Sequence, residues 1–215
     1  MKDTVKERAK LFEDGLQKLY PESQCGLEYG GDPYKLLVAA ILSAQCTDRR
    51  VNATCILLFE RWNSAEAMAL AEVEDIAAMI RPVGLFNSKA KNISLCCRKL
   101  VNEYAGTVPS KMDELLSLPG VGRKIANLIR GDLYGLGGIV ADTHMIRICH
   151  RLGFTKKPDP LETERVMSTL IAPDAQSELC HRAVMFGRDV CKARSPLCSE
   201  CTLRSICLYD KITNI

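Results

Sequence analysis

The apolar residues of this chain recur mostly at helical spacing. Several stretches carry an apolar residue every three or four positions, and no stretch alternates apolar and polar residues over the length of a strand. The helical stretches are Val5 to Leu19, Leu36 to Leu42, Val51 to Phe59, Ile76 to Ile80, Ile93 to Val101, Ile125 to Leu133, Met145 to Leu152 and Val166 to Ile171. This pattern predicts an all-α fold of about ten helices.

Helix-breaking residues separate the stretches. Asp32 and Pro33 precede the second one, and a Gly-Thr-Val-Pro run at 106–109 breaks the chain before a short predicted helix at Met112 to Leu116. Glycines are densest from Gly135 to Gly138. We expect the boundary between two lobes there.

The composition indicates a chain with a sizeable core and no membrane partner. Of its 215 residues, 47% are hydrophobic, and no apolar run approaches the roughly 20 residues that cross a bilayer. The N-terminus has no charged and apolar leader, so we expect an intracellular location. The formal net charge of +3 is too small to indicate a polyanionic partner by itself. A local excess of Arg and Lys between Cys180 and Cys207 fits either phosphate binding or counter-charge for an anionic metal cluster.

Four cysteines near the C-terminus have a spacing typical of an iron–sulfur site. Six residues separate Cys191 from Cys198, two separate Cys198 from Cys201, and five separate Cys201 from Cys207. Thiolates within one short loop can hold a [4Fe-4S] cluster. Zinc is the alternative, but zinc ribbons usually contain two Cys-x-x-Cys pairs and this loop contains one. A disulfide framework is a third interpretation, which would require an oxidising compartment. We expect the other seven cysteines to be mostly buried, reduced thiols.

A proline and two glycines join two predicted helices at 118–124. Pro119 ends the first helix, and Gly120 and Gly122 permit positive φ and leave backbone N–H groups uncovered. The second helix is predicted from about Val121. N–H groups at a helix N-terminus favour an anion such as a DNA phosphate. The same pattern also fits an ordinary tight turn between helices.

Two charged residues lie at predicted helix starts. Lys124 is in the first turn of the second hairpin helix, where the helix dipole disfavours a cation. Because that placement costs stability, it indicates a functional role such as a nucleophilic amine, although a lysine on a solvated face needs no such role. Asp142 precedes the helix around Met145 and is a candidate N-cap, with a functional carboxylate as the second interpretation.

Five segments, in this order along the chain, resemble the endonuclease III family of DNA glycosylases with lyase activity. They are Leu42 to Asp48, Val83 to Ala90, Leu118 to Lys124, Val140 to His144 and Cys191 to Cys207. The resemblance runs through most of the chain. It implies a bifunctional enzyme of base excision repair, which removes oxidised or ring-damaged pyrimidines from duplex DNA and then cleaves 3′ to the abasic site.

The resemblance implies roles for individual residues. Lys124 matches the nucleophile that attacks C1′ of the damaged nucleoside and holds the sugar as an imine, and Asp142 matches the carboxylate that assists it. Gln45 matches the residue inserted where the extruded base was, and Leu85 matches the wedge that parts the opposite strand. Gln45 and Leu85 each have a simpler alternative as a core or turn residue.

The remaining implied contacts are with the DNA backbone and the cluster. The hairpin residues Gly120, Gly122 and Arg123 would bind DNA, and Lys192 and Arg194 match basic residues that contact phosphate. The [4Fe-4S] cluster would be held by Cys191, Cys198, Cys201 and Cys207. We expect this cluster to organise a DNA-contacting loop rather than to take part in excision.

The family architecture implies two lobes with the DNA cleft between them. Residues 26–136 would form a six-helix barrel lobe that contains the helix-hairpin-helix at about 112–131. Residues 1–25 and 137–215 would form the cluster lobe, with the cluster loop at 191–207. We expect the protein to act as a monomer on double-stranded DNA that contains damaged pyrimidines or abasic sites.

One segment departs from the family pattern and leaves the preferred damaged base open. Ile125 stands where the family usually has Thr, and Arg130, Gly131 and Asp132 interrupt an apolar helix. Two other functions stay open from the sequence. One is a monofunctional glycosylase in which Asp142 activates water, and the other is a non-catalytic DNA-binding protein whose cluster senses redox state.

Overall fold

The computed structural model describes residues 3–209, and these residues form eleven α-helices and no β-strand. The helices are α1 (Val5–Leu19), α2 (Pro33–Leu42), α3 (Asp48–Arg61), α4 (Ala65–Ala69), α5 (Val73–Met79), α6 (Phe86–Tyr104), α7 (Met112–Leu116), α8 (Arg123–Tyr134), α9 (Thr143–Arg151), α10 (Pro160–Leu170) and α11 (Gln176–Asp189). Four 3₁₀ helices are Arg81–Val83, Pro173–Ala175, Cys198–Glu200 and Arg204–Ile206. The all-α prediction is confirmed, and no described helix has the length and apolarity that a bilayer crossing requires.

Local sequence signals fix several helix ends. Thr4 accepts the Glu7 N–H, and the Glu7 carboxylate accepts the Thr4 N–H at 2.6 Å, which forms a capping box before α1. Asp32 accepts the Tyr34 N–H at 2.9 Å, and Pro33 occupies the first position of α2. The observed bounds of α1 and α7 equal the predicted ones, whereas α2 begins three residues before its predicted apolar stretch because Asp32 and Pro33 start the helix there.

The apolar pattern did not single out α11. Its buried residues include Leu179, Ala183 and Phe186 at helical spacing, but Arg182 is buried among them. The guanidinium of Arg182 donates to the Glu178 carboxylate at 2.6 Å. Arginine is usually a surface residue, so Arg182 interrupts the apolar pattern of the sequence. The apolar face of α11 was therefore not predicted.

The chain divides into two compact units. One is Cys25–Tyr134, which contains α2 to α8 and its own apolar core. The other combines the described residues before Cys25 with those from Gly135 onward, and Phe12, Met145 and Phe186 belong to its core. Gly135 adopts φ +60° at the change of unit, a conformation that favours glycine. The assignment of these units as a six-helix barrel lobe and a cluster lobe stays a prediction.

The cysteines outside the C-terminal loop are mostly core residues. Five of them are buried and two are half-buried, and none of the seven forms a disulfide. Burial raises the pKa of the Cys55 and Cys96 thiols to about 12, so both are protonated at neutral pH. The prediction of buried, reduced thiols is confirmed for the five: Cys55, Cys96, Cys97, Cys149 and Cys180.

Candidate functional site

The hairpin between α7 and α8 turns at one glycine. Gly120 has φ +82°, and the Val121 N–H donates to the Leu118 carbonyl at 3.1 Å. Gly122, which could also have adopted a positive φ, does not do so. Gly122 lies directly before α8 and its carbonyl accepts an N–H from within the helix at 2.9 Å, so it occupies a cap position rather than a left-handed turn. As a result α8 begins at Arg123, two residues later than predicted.

The N-terminal end of α8 is open. A Cβ added at Gly122 would meet no heavy atom within 4 Å, and Lys124 is exposed as the second residue of the helix. The first turn of α8 contains no acidic residue to offset the helix dipole. This end of the helix therefore combines uncovered backbone, partial positive charge and an amine.

Asp142 is the N-cap of α9, as predicted. Its Oδ1 accepts the Met145 N–H at 2.8 Å, and the side chain is half-buried. Burial lowers the pKa of the neighbouring His144, which favours a neutral imidazole beside the carboxylate. A side chain at Gly187 would overlap His144, so the tight packing here requires glycine. The capping bond and this packing orient the carboxylate at the start of α9.

Gln45 and Leu85 share an unfavourable backbone conformation. Their φ angles are +54° and +49°, in the left-handed region that favours glycine. This conformation costs a residue with a Cβ about 1–2 kcal/mol. Both side chains are exposed, and Leu85 keeps 57% of its surface in solvent, which leaves it no core role. Strain of this kind persists where the surrounding structure enforces it, often at functional sites.

The four cysteines of the C-terminal loop line one apolar cavity. The cavity has a volume of about 360 Å³, part of it open to solvent, and Ile148, Leu152, Phe186 and Leu203 contribute to its wall. All four thiols are half-buried. The structure therefore brings together Cys191, Cys198, Cys201 and Cys207, as the spacing predicts.

Two arginines of α9, one turn apart, hold this loop. Arg151 donates to the Cys191 Sγ at 3.3 Å and to the carbonyl oxygens of Lys192 at 2.7 Å and Ala193 at 3.1 Å. Arg147 donates to the Cys191 carbonyl at 2.8 Å. The sequence analysis missed both, because nothing in the local sequence distinguishes the buried Arg151 or the half-buried Arg147 from a surface arginine.

The same loop exposes its basic side chains. Lys192 and Arg194 are both exposed, while the carbonyl of Lys192 is fixed by Arg151. The backbone is thus held and the cationic groups remain available to an anion.

The predicted site residues divide between the two units. Gln45, Leu85 and Lys124 lie in Cys25–Tyr134, whereas Asp142 and the cysteine loop lie in the other unit. Their assigned roles in catalysis and DNA binding stay predictions.

Comparison with known proteins identifies the family to which this chain belongs. Residues 38–173 match the family described as HhH-GPD superfamily base excision DNA repair protein. The endonuclease III of Synechocystis sp. is 47% identical over 204 residues, which covers 94% of this chain and 92% of that protein. The chain belongs to the endonuclease III family.

Two solved endonuclease III structures extend the match to the fold. A non-covalent endonuclease III–DNA complex has a TM-score of 0.91 at 37% identity and covers 99% of both chains. A trapped endonuclease III–DNA covalent intermediate has the same TM-score and identity, and covers 99% of this chain and 100% of the other. The predicted helix-hairpin-helix glycosylase fold is confirmed. The predicted enzyme class, a DNA glycosylase and abasic-site lyase of base excision repair, is confirmed as well.

Leu85→Gly should separate strain from function. Glycine relieves the left-handed strain but also makes the unfolded chain more flexible, so we expect the free energy of unfolding to change by no more than about 1 kcal/mol. Excision from duplex lesion DNA should fall by about tenfold or more, because the exposed apolar side chain is gone. Thermal unfolding and single-turnover excision measure the two effects.

Ala105→Gly is the matched control for this change. Ala105 ends α6 with φ +50°, so glycine relieves the same strain at the far end of the helix that Leu85 begins. Excision should be unchanged in this variant. Full duplex activity in Leu85→Gly would show that Leu85 is not a wedge.

Proposed function

We propose that this member of the endonuclease III family removes oxidised or ring-damaged pyrimidines from duplex DNA and then cleaves 3′ to the abasic site. Its partner is double-stranded DNA inside the cell, and it acts as a monomer. One observation carries the proposal, which is the exposed Lys124 at the open N-terminal end of α8 in the helix-hairpin-helix.

Lys124 is the nucleophile of the first step. Its neutral amine attacks C1′ of the damaged nucleoside, and the bond between C1′ and the base breaks. The base leaves with the bonding electrons and takes up a proton. Opening of the sugar ring then gives an imine between the Lys124 nitrogen and C1′. The uncovered backbone at Gly122 supports this role, because it lets the sugar-phosphate chain approach the amine closely.

The imine makes strand cleavage possible. It withdraws electrons from C2′, a base removes the C2′ proton, and the bond between C3′ and the phosphate oxygen breaks by β-elimination. Hydrolysis of the imine by water then regenerates the Lys124 amine.

Asp142 is the carboxylate that assists this chemistry. A negative charge near C1′ stabilises the positive charge that develops on the sugar as the base departs. The capping bond from the Met145 N–H at 2.8 Å supports this role, because it holds the carboxylate in one orientation before DNA binds.

The DNA-contacting residues come from four segments between helices. We assign the insertion into the opened duplex to Gln45 and Leu85, which is supported by their exposure and strained backbones. Phosphate contacts come from the hairpin and from the loop after Cys191, whose side chains are exposed. These contacts are Gly120, Gly122 and Arg123 in the hairpin, and Lys192 and Arg194 in the cysteine loop.

The cysteine loop would hold a [4Fe-4S] cluster through Cys191, Cys198, Cys201 and Cys207. The cavity that all four cysteines line supports this assignment, because it brings four thiolates of one loop together. The single Cys-x-x-Cys pair favours a cluster over a zinc ribbon, which usually contains two such pairs. When bound, the cluster supplies four metal–sulfur bonds that tie the loop together.

Borohydride trapping tests the nucleophile. The wild-type protein should form a covalent adduct with lesion-bearing DNA, because borohydride reduces the imine to a stable amine. Lys124→Gln should form no adduct and should cut no strand, whereas Lys91→Gln, which changes an exposed lysine of α6, should behave like wild type.

The products separate the proposal from its alternatives. An adduct with Lys124→Gln would contradict the assignment of the nucleophile. Base release without strand scission by the wild-type protein would favour water activated by Asp142. Binding without base release would favour the non-catalytic sensor.

Two substitutions at Asp142 distinguish its role as the N-cap of α9 from the proposed role of its negative charge. Asn caps a helix about as well as Asp, so Asp142→Asn should leave the thermal midpoint within about 2 °C of wild type. Asp142→Ala should lower the free energy of unfolding by about 1 kcal/mol. Excision should fall by at least about 100-fold in both variants, because both lack the charge. Wild-type excision by Asp142→Asn would show that the residue is only a cap.

Metal analysis tests the cofactor. The purified protein should be brown, with absorbance near about 410 nm and about four irons and four sulfides per chain. Cys201→Ala should lose most of this iron. One zinc and no iron per chain would refute the cluster.

A further inference from the structure

A buried lysine joins the two loops that carry Gln45 and Leu85. Lys89 is only 4% exposed and lies one turn into α6. Its Nζ donates to the Leu42 carbonyl at 2.8 Å and to the Val83 carbonyl at 3.0 Å. All of these residues belong to the same compact unit, Cys25–Tyr134.

Both carbonyls stand at helix ends two or three positions before the strained residues. Leu42 is the last residue of α2 and lies three positions before Gln45. Val83 is the last residue of a 3₁₀ helix and lies two positions before Leu85. Terminal carbonyls have no partner within their own helix, so a cation that binds both of them fixes the two chain exits with respect to each other.

Lys89 also reaches Leu85 through its own backbone. The Lys89 N–H donates to the Leu85 carbonyl at 3.0 Å in the first turn of α6. The residue therefore holds the segment around Leu85 on both sides, through Val83 before it and through Leu85 itself.

This arrangement is costly for the fold. An ammonium group loses its hydration when it is buried, and both acceptors are neutral carbonyl groups rather than carboxylates. Burial accordingly lowers the pKa of Lys89. The left-handed conformations of Gln45 and Leu85 add further cost. Such costs persist where the surroundings enforce one geometry, and Lys89 is the side chain that connects the two strained segments.

We propose that Lys89 is a positioning residue that fixes the spacing between Gln45 and Leu85, so that both enter the opened duplex together. The inference rests on the proposed insertion roles of these two residues. It predicts that Lys89 matters for duplex DNA and not for the chemistry at Lys124. A lysine that only capped α2 would affect every substrate equally, through stability.

Abasic-site cleavage in duplex and single-stranded DNA tests this distinction. Single-stranded DNA has no opposite strand to part, so its cleavage needs the nucleophile and not the insertion. In the holoenzyme, Lys89→Met should lower the single-turnover rate on duplex abasic DNA by at least about tenfold. The rate on the same strand without its complement should stay within about threefold of wild type.

Leu100→Ala is the matched control for lost stability. Leu100 is fully buried in the same helix and makes no hydrogen bond to either loop, and its truncation destabilises the fold by leaving a cavity in the core. This variant should keep the wild-type ratio of duplex to single-strand rates. An equal loss on both substrates by Lys89→Met would make Lys89 a structural residue and overturn the proposal.

A double-mutant cycle with Leu85→Ala tests the connection directly. If Lys89 acts by placing Leu85, the duplex effect of Lys89→Met should shrink to below about threefold in the Leu85→Ala background. Additive effects would overturn the proposal. If Leu85→Ala alone keeps the wild-type duplex rate, the insertion role fails and the proposal falls with it, whereas borohydride trapping at Lys124 would stand.

Lys89→Arg keeps the test decisive if Lys89→Met does not fold. Arginine retains the charge and the donors but not the length, so the two loops are held at a changed spacing. We expect a smaller loss that is again confined to duplex DNA and is not additive with Leu85→Ala. A loss shared by both substrates would overturn the proposal.

Discussion

The ends of helices are the constraint on which this molecule depends. Inside a helix every backbone N–H and carbonyl is paired, and only the first and last turns offer unpaired groups. The residues of interest lie at those turns. Lys124 stands at the open start of α8, Asp142 caps α9, and Lys89 binds the terminal carbonyl of α2. The residues proposed for catalysis and positioning thus lie where backbone groups have no partner within the helix.

The backbone of the cysteine loop is mostly irregular, and side chains of another element bind its carbonyl groups. Residues 190–208, which follow α11, contain only two single-turn 3₁₀ helices, Cys198–Glu200 and Arg204–Ile206. The rest of this stretch is irregular. Arg147 and Arg151 of α9 supply the hydrogen bonds that a helix would otherwise provide. The helix that Asp142 begins is therefore also the helix that holds the loop, and α9 orients both the Asp142 carboxylate and the segment that exposes Lys192 and Arg194.

The features that the sequence predicted depend on neighbouring residues, whereas those that it missed depend on tertiary packing. The cap at Asp142, the bounds of α1 and the turn at Gly120 depend on neighbouring residues and could be predicted. The left-handed backbones of Gln45 and Leu85 could not, since neither side chain favours that conformation. The contact between Lys89 and Leu42 spans 47 positions and follows only from tertiary packing. Which of the two hairpin glycines has the positive φ also could not be predicted, because a glycine beside a turn can equally precede a helix.

The unit built from both ends of the described chain determines the order in which the two units can fold during synthesis. Cys25–Tyr134 is one unbroken stretch, so all of its residues are present once Tyr134 has left the ribosome. The other unit begins earlier in the chain but must wait for its last segments, since Arg8 of α1 donates to the Ile206 carbonyl at 3.0 Å. The first helix to be made is thus among the last to find its partners. Until Cys207 emerges, the nascent chain carries Lys124 in a unit whose residues are all present and Asp142 in a unit that still lacks its last segments.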